Sequence, residues 1–337
     1  MKNAPPTLKE IAKRLKLSTS TVSRALKDHP SIGLVTTMRV KKLAEELNYE
    51  PNNRAIFFKQ QKTFTIGVVL PSLSESFFST AISAIENKAT EEDYTVILGQ
   101  SLDDEKRQSR ILETLRKHRV DGIIVSVGKN TSNFEFIETL GKAGIPIVFF
   151  DCVPDRADVI RIVSDLKPGI MEAIDTFVSC GHNQIALING PKTLLASKER
   201  LEGYKQGLKK NNILFNKDYV FTSDLSEEDN KRVMSELIAL PNRPSAIICF
   251  SDYVALDTMK VAKERGLNIN QDVSFISFSN FPIWNHIENK PMASIEQFAG
   301  KQAEKAAAIL FDLINERQGV DNKLISYPSK LIHLDSL

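Results

Sequence analysis

The sequence is poor in cysteine, in tryptophan and in long apolar runs. Its 337 residues include three cysteines and one tryptophan. Cys152, Cys180 and Cys249 lie far apart and form no CxxC pair or Cys/His cluster, which argues against a disulfide framework and a zinc site. The longest apolar runs, such as 145–150 and 306–311, are much shorter than a membrane span. No apolar secretory segment follows the first residues, so we expect a cytoplasmic protein that does not contact a membrane.

The motifs of common enzyme classes are missing as well. The sequence contains no Walker A loop, no GxGxxG, no GxSxG and no HExxH. Its five histidines show no metal-ligand spacing. We therefore expect neither enzyme activity nor a bound metal or cofactor. A sugar-processing α/β enzyme is kept as an alternative, which turnover of a candidate ligand would reveal.

Charge is distributed very unevenly along the chain. The formal net charge of the whole sequence is only +2. Residues 1–62, however, contain 13 basic and 5 acidic residues, a net charge of +8, which leaves −6 for the remaining residues. A basic N-terminal part on an acidic body indicates that the basic part meets a polyanion and that the body does not.

The basic part has the pattern of three short helices. Thr7 and Glu10 have the spacing of a capping box. Ser18 is a suitable N-cap for a second helix, and Gly33 can begin a third. On a helical wheel the second helix has one apolar face and one face of small polar and cationic side chains. Such a polar face fits the major groove of DNA, where arginine can pair with guanine.

From Thr65 onwards, short β-branched runs alternate with helical stretches. The continuous apolar runs are typical of strands buried on both faces of a parallel sheet. Alternation over this length predicts a doubly wound α/β body in two lobes. The strands are predicted at 66–70, 95–99, 122–127, 145–150, 160–163, 185–189, 246–250 and 273–278.

These features together resemble the LacI/GalR family of bacterial repressors. The N-terminal motif is the most specific part of the resemblance, and weaker motifs follow in the family's order along essentially the whole chain. The N-terminal stretches are Thr7-Leu-Lys-Glu-Ile-Ala12, Leu17-Ser-Thr-Ser-Thr-Val-Ser-Arg-Ala-Leu26 and Leu47-Asn-Tyr-Glu-Pro-Asn52. The later motifs include Ile66-Gly-Val-Val-Leu-Pro71, Val120-Asp-Gly-Ile-Ile124, Arg200-Leu-Glu-Gly-Tyr204 and Ser251-Asp252.

The resemblance implies a domain order and an architecture. It implies a helix-turn-helix DNA-binding head at residues 1–50, a hinge helix at 51–63 and an effector and dimerisation domain at 64–337. That domain would have the fold of type I periplasmic binding proteins, with two lobes of parallel sheet. The implied N-lobe comprises about 64–162 and 292–324, and the C-lobe about 163–291 and 325–337.

The resemblance also implies roles in operator binding. Thr19, Ser20 and Arg24 would read bases. Hydroxyl and amide donors would hold phosphates and set the register without reading sequence, and these are Ser18, Thr21, Ser23, Tyr49 and Asn52.

In the hinge, Phe58 stands where the family usually has a leucine that opens the central base step, and phenylalanine can do the same. Ala55, one turn earlier, would let two hinge helices approach across a homodimer. Packing of Phe57 and Phe58 against the α/β body is the alternative interpretation.

An effector would bind in the cleft at the carboxyl ends of the strands. The family positions that line this cleft are Phe77, Phe78, Ser126, Asp151, Arg200, Asp252 and Ser279. Arg200 can bind vicinal hydroxyls or a carboxylate through its guanidinium. Phe77 and Phe78 suit core packing as well as ligand contact.

Three positions depart from the family's pattern. Ser279 stands where an aspartate often binds sugar hydroxyls, Ser251 replaces an asparagine, and Leu225 replaces a stacking aromatic. These departures leave a sugar acid, a phosphosugar, an oligosaccharide fragment or a protein coregulator open as the effector. The sequence thus predicts an effector-controlled, homodimeric regulator of a near-palindromic operator. A solute-binding receptor without DNA function is the alternative.

Overall fold

A computed structural model of the chain describes residues 6–49, 62–317 and 323–334. The chain divides into two compact units, Met1–Lys62 and Thr63–Leu337. The predicted boundary between hinge and effector domain lies one residue further along. Residues 50–61 fall outside the described ranges, so the hinge helix stays a prediction.

Residues 6–49 of the first unit form three helices that enclose a small apolar core. They are α1 Leu8–Leu15, α2 Thr19–Leu26 and α3 Leu34–Glu46. Thr7 and Ser18 cap α1 and α2 through their side-chain oxygens, as predicted, and Gly33 precedes α3. Only half of the predicted capping box forms in the described contacts of α1. The Thr7 hydroxyl accepts from the Glu10 amide, but the Glu10 carboxylate accepts from Arg14 on the next turn instead.

The described residues of the second unit form two six-stranded sheets. The strands of the first are β1 Thr65–Leu70, β2 Thr95–Gln100, β3 Gly122–Val125, β4 Ile147–Phe150, β5 Ile160–Asp165 and β11 Leu324–Pro328. The strands of the second are β6 Ile185–Asn189, β7 Val220–Thr222, β8 Ala246–Cys249, β9 Ser274–Phe278, β10 Ala293–Glu296 and β12 Lys330–His333. The spatial orders are β11-β5-β4-β3-β1-β2 and β12-β10-β9-β8-β6-β7. All described pairs are parallel except β10 with β12.

Helices cover the sheets and complete two lobes. The helices of the N-lobe are α4 Ser76–Glu91, α5 Glu105–Lys117, α6 Glu135–Lys142 and α11 Ala299–Ile314. Those of the C-lobe are α7 Lys167–Ser179, α8 Leu195–Lys210, α9 Glu227–Ile238 and α10 Asp252–Glu264. Short 3-10 turns occur at Lys217–Tyr219 and Pro282–His286. The prediction of a two-lobed α/β body with parallel sheets is confirmed.

The strand pairings correct the predicted lobe boundaries. Residues 292–324 were assigned to the N-lobe, but β10 pairs with β9 and β12 of the C-lobe sheet. Residues 325–337 were assigned to the C-lobe, but β11 pairs with β5 of the N-lobe sheet. The first crossing follows β5, after Asp165 rather than after residue 162. These late strands are short and only partly apolar, so their sheet is decided by pairing with distant strands rather than by local pattern.

Candidate functional site

Helix α2 presents the polar face that the sequence predicts. Val22 and Ala25 are fully buried in the core of the first unit. Thr19, Ser20 and Arg24 are exposed on the opposite side. The ion pairs described in this unit join other residues, so Arg24 keeps its guanidinium donors for another partner. Hydroxyls and a guanidinium on one exposed helix face can approach base edges closely.

The predicted phosphate contacts occupy different environments. The Ser18 hydroxyl is exposed, accepts from the Thr21 amide at 3.0 Å and bonds the hydroxyls of Ser20 and Thr21. Thr21 and Ser23 are half-buried beside it. Tyr49 is half-buried against the core of the first unit, and this burial raises the pKa of its phenol. Their phosphate contacts stay predictions.

The hinge part of the predicted DNA site cannot be placed. Asn52, Ala55 and Phe58 lie outside the described residues. Their roles stay predictions from the sequence.

A cavity lies between the two lobes of the second unit. Its volume is about 170 Å³. Both lobes line it, together with the segments that cross between them. Its walls include Val127, Gly128, Lys129, Phe134, Asp151, Cys152, Pro154, Ser164, Thr193, Leu194, Leu195, Ala196, Lys198, Glu199 and Gln297. Most of the N-lobe residues among them follow β3 or β4, and Ser164 lies near the end of β5. The cavity therefore adjoins the carboxyl ends of these parallel strands, where ligands bind in such folds.

Asp151 is the predicted effector residue that lines the cavity directly. It follows β4 with a φ of 59°, in the left-handed region. The Ser126 hydroxyl, itself fully buried, donates to its carboxylate at 3.4 Å. Burial raises the pKa of Asp151 to about 6, against the opposing effects of bonds from Cys152 and of the charge on Arg200. A desolvated carboxylate that accepts few hydrogen bonds suits a ligand that donates them.

Arg200 brings an unpaired positive charge close to Asp151. Its side chain, only 3% exposed, lies between the rings of Phe250 and Phe278, at 4.0 and 4.2 Å from the ring centroids. One guanidinium nitrogen donates to the carbonyl of Ala196 at 3.2 Å, whereas Nε has no hydrogen-bond partner. Burial lowers the pKa of Arg200 to about 10. Its unused donors can satisfy hydroxyl or carboxylate oxygens of a ligand.

Ser279 reaches the cavity only through a neighbour. Its hydroxyl lies 3.4 Å from Oε1 of Gln297, which lines the cavity. Its φ of 102° is strained for a residue with a side chain. Asp151 thus lines the cavity itself, whereas Ser126 and Arg200 act on its carboxylate from behind the wall and Ser279 reaches the cavity through Gln297. Contact of these residues with an effector stays a prediction.

Phe77 and Phe78 are core residues in this structure. They are 8% and 5% exposed and meet edge to face, with ring centroids 5.3 Å apart. Both belong to the large apolar cluster between β-sheet and helices, and neither lines the cavity. The environment of Phe77 and Phe78 is therefore that of core packing, which was the alternative to ligand contact.

Asp252 is held inside the C-lobe rather than at the cavity wall. It is fully buried at the start of α10 and accepts from the hydroxyls of Ser277 and Ser294 and from the amide of Phe281. Burial raises its pKa to about 6. These bonds connect α10 to β9, to β10 and to the segment after β9. The carboxylate therefore has a structural task, and ligand contact by Asp252 stays a prediction that the cavity lining does not favour.

Replacement of Asp252 by alanine is expected to destabilise the protein by about 3–5 kcal/mol, because three buried donors lose their acceptor. Urea unfolding measures this loss. Ala substitution of Asp257, which lies on the same helix and accepts a single described hydrogen bond from Asn230, is the matched control and should cost about 1 kcal/mol. Equal stabilities of the two variants would contradict a structural role for Asp252.

Several charged residues of the cleft were not predicted from the sequence, and besides Lys198 and Glu199 of the cavity wall they include Lys129 and Glu75. Lys129, after β3, lines the cavity. Glu75, at the start of α4, has its pKa raised to about 7 by burial and by the charges of Asp151 and Asp103. Glu75 follows the carboxyl end of β1 and Lys129 that of β3. This position in the sequence could have identified both as cleft residues.

The described residues offer no metal or membrane feature. Their His, Cys, Asp and Glu side chains form no group of three or more that could hold a metal ion. None of the helices in the described ranges combines the length and the apolar character that a membrane span needs.

The chain matches two family descriptions in succession. Residues 7–52 match the bacterial regulatory proteins of the lacI family. Residues 63–333 match the periplasmic binding proteins and sugar binding domain of the LacI family.

Relatives and solved structures resemble the chain over most of its length. The probable HTH-type transcriptional repressor ExuR of Bacillus subtilis (strain 168) is 32% identical over 323 residues, which are 95% of each protein. The lac repressor dimer bound to operator and the anti-inducer ONPF has a TM-score of 0.84 at 22% identity, covering 99% of each chain. A periplasmic binding protein/LacI transcriptional regulator from Alkaliphilus metalliredigens QYMF, complexed with D-xylulofuranose, has a TM-score of 0.71 at 26% identity, covering 81% of this chain and 99% of the other.

Proposed function

The chain belongs to the LacI family of bacterial regulatory proteins, and we propose that it is a homodimeric repressor whose operator affinity is set by a small effector. The observation that carries the DNA-binding part is α2, which exposes Thr19, Ser20 and Arg24 on a basic unit. ExuR, 32% identical, is named a probable transcriptional repressor. Operator binding would place the protein in the cytoplasm.

The proposed effector is a sugar or a sugar derivative of about monosaccharide size. The cavity volume of about 170 Å³ is below the range of about 300–1,000 Å³ of pockets for larger ligands. Asp151 supplies an acceptor and Arg200 supplies donors on opposite lobes, which is what a polyhydroxylated ligand requires. The Alkaliphilus regulator of similar fold is complexed with such a molecule, D-xylulofuranose.

The proposed dimer uses an apolar edge of the N-lobe. β2 is the last strand of its sheet, and Ile97, Leu98 and nearby Leu102 are 39%, 38% and 55% exposed. An exposed apolar sheet edge is a liability unless another chain covers it. A second copy would place two reading helices on two half-sites, so the operator would be near-palindromic.

The experiment has a DNA arm and an effector arm. Duplexes selected from a random pool by the full chain should bind at least about 1,000-fold more tightly than random duplex, with an affinity that falls steeply with salt. A thermal-shift screen of sugars, sugar acids and phosphosugars identifies the effector, whose addition should then change the operator affinity. A chain that binds ligand but prefers no duplex would be a solute receptor, and this outcome would overturn the proposal.

A further inference from the structure

Lys129 bonds the opposite lobe with both its side chain and its backbone. Its ammonium donates to the carbonyl of Asp224 at 2.8 Å. Its own carbonyl accepts from the Thr193 hydroxyl at 3.4 Å. Lys129 follows β3 of the N-lobe, whereas Thr193 and Asp224 follow β6 and β7 of the C-lobe. Among the hydrogen bonds of the described residues, these two connect the lobes away from the crossing segments.

The N-lobe holds Lys129 firmly in this position. Its amide donates to Oδ1 of Asp103 at 2.8 Å, and its ammonium lies 3.8 Å from Oδ2 of the same carboxylate. The Gly128 amide donates to the buried side chain of Gln108 at 3.1 Å. A Cβ at Gly128 would lie 2.9 Å from the Asp103 backbone, so this approach requires glycine. The loop is thus fixed on its own lobe before it reaches across.

We propose that Lys129 is an interlobe latch, which holds the two lobes closed over the cavity and must release for an effector to enter or leave. Lys129 and Thr193 both line the cavity, so parting the lobes there breaks both bonds at once. The proposal rests on the proposed function, in which lobe closure carries the effector signal to the DNA-binding unit. Closed and open forms are then two populations whose ratio the latch sets.

The chain carries its own reporter of lobe opening. Cys152 lines the cavity, and burial together with the charge of Asp151 raises the pKa of its thiol well above the ordinary value. Cys152 is only partly exposed in this closed form. Because the thiolate is the reactive form, opening of the lobes, which hydrates the thiol, should raise the alkylation rate of Cys152. Cys180 is exposed and reports the intrinsic rate, whereas Cys249 is fully buried and reports global unfolding.

The test measures the alkylation rate of each cysteine by iodoacetamide and peptide mass mapping, in the full chain. Lys129→Met should raise the rate at Cys152 about five-fold, the effect of losing one hydrogen bond of ordinary net strength, since solvent screens the charge of this exposed bond. The rates at Cys180 and Cys249 should not change. Lys129→Arg, which keeps a donor, should stay close to wild type. Lys142→Met, an exposed lysine of the same lobe, is the matched control.

Two results would overturn the latch. One is an unchanged Cys152 rate in Lys129→Met and in Thr193→Val, which removes the second bond and should give about a two-fold increase. The other is a parallel increase at Cys152 and Cys249, which indicates general loosening of the fold. The measurement uses neither operator nor effector, so failure of the latch is distinguishable from failure of the proposed function.

Discussion

Replacement of Arg24 by alanine is expected to lower the affinity for the selected operator by about 30- to 20,000-fold. A bidentate arginine–guanine pair discriminates by about 1–3 kcal/mol, and a homodimer loses two of them. Affinity for random duplex should fall only a few-fold, because one charge per head is a small part of the attraction to phosphate. Fluorescence anisotropy with both duplexes at one salt concentration measures the ratio. The fold should persist, since alanine favours an exposed helix position.

Arg39→Ala is the matched control for this prediction. Arg39 is an exposed arginine of α3 in the same unit, so its loss changes the net charge equally without touching the α2 face. It should weaken binding to both duplexes by similar factors. If Arg24→Ala lowers both affinities in the same proportion, Arg24 contacts phosphate and does not read bases.

Replacement of Arg200 by methionine is expected to abolish the effector response and to stabilise the empty protein. The guanidinium is buried between two aromatic rings with an unpaired Nε. Its desolvation is offset incompletely, so an apolar side chain of similar length should raise the free energy of unfolding by about 1–3 kcal/mol. The same change removes the charged donors of the proposed site and should weaken effector binding about 100-fold.

Calorimetry with the effector from the screen and urea unfolding measure the two effects separately. Operator binding without effector should stay within a few-fold of wild type. Arg265→Met, an exposed arginine at the end of α10, should change neither quantity. If Arg200→Met binds the effector with wild-type affinity, the ligand does not contact Arg200. If its free energy of unfolding falls, the contacts of the guanidinium with the two rings stabilise the protein by more than its desolvation costs.

The sequence alone predicted the helix starts and the central strands, because the interactions that determine them lie within a few residues of each other. Thr7 and Ser18 identified the helix starts of the first unit because a hydroxyl N-cap acts on its own helix. The apolar runs identified the central strands because these are buried on both faces. The sheet membership of β10 and β11 could not be read in this way. It depends on partners far away in sequence, and β11 is half exposed.

The site residues likewise divide into those whose role could be predicted from the sequence and those whose role depends on partners far away in the chain. The family resemblance assigned both Asp151 and Arg200 to the cleft. The structure adds that Nε of Arg200 has no hydrogen-bond partner and that the charge of Arg200 acts on Asp151. Asp252 also follows the carboxyl end of a strand, a position at which ligand contact is expected. Its three bonds come from β9, from β10 and from the segment after β9, however, and no local pattern shows that these donors already satisfy it. Lys129 was missed because its partner is a backbone carbonyl, which any sequence can supply.

The three crossings between the lobes have a consequence for synthesis of the chain. The N-lobe sheet is incomplete until β11 emerges from the ribosome, and the C-lobe sheet is incomplete until β12 follows it. Until then β5 and β10 each present an unpaired edge, which can pair with a neighbouring nascent chain. The two sheets are therefore completed within a few residues of each other, and loss of residues 324–333 would leave both sheets without an edge strand.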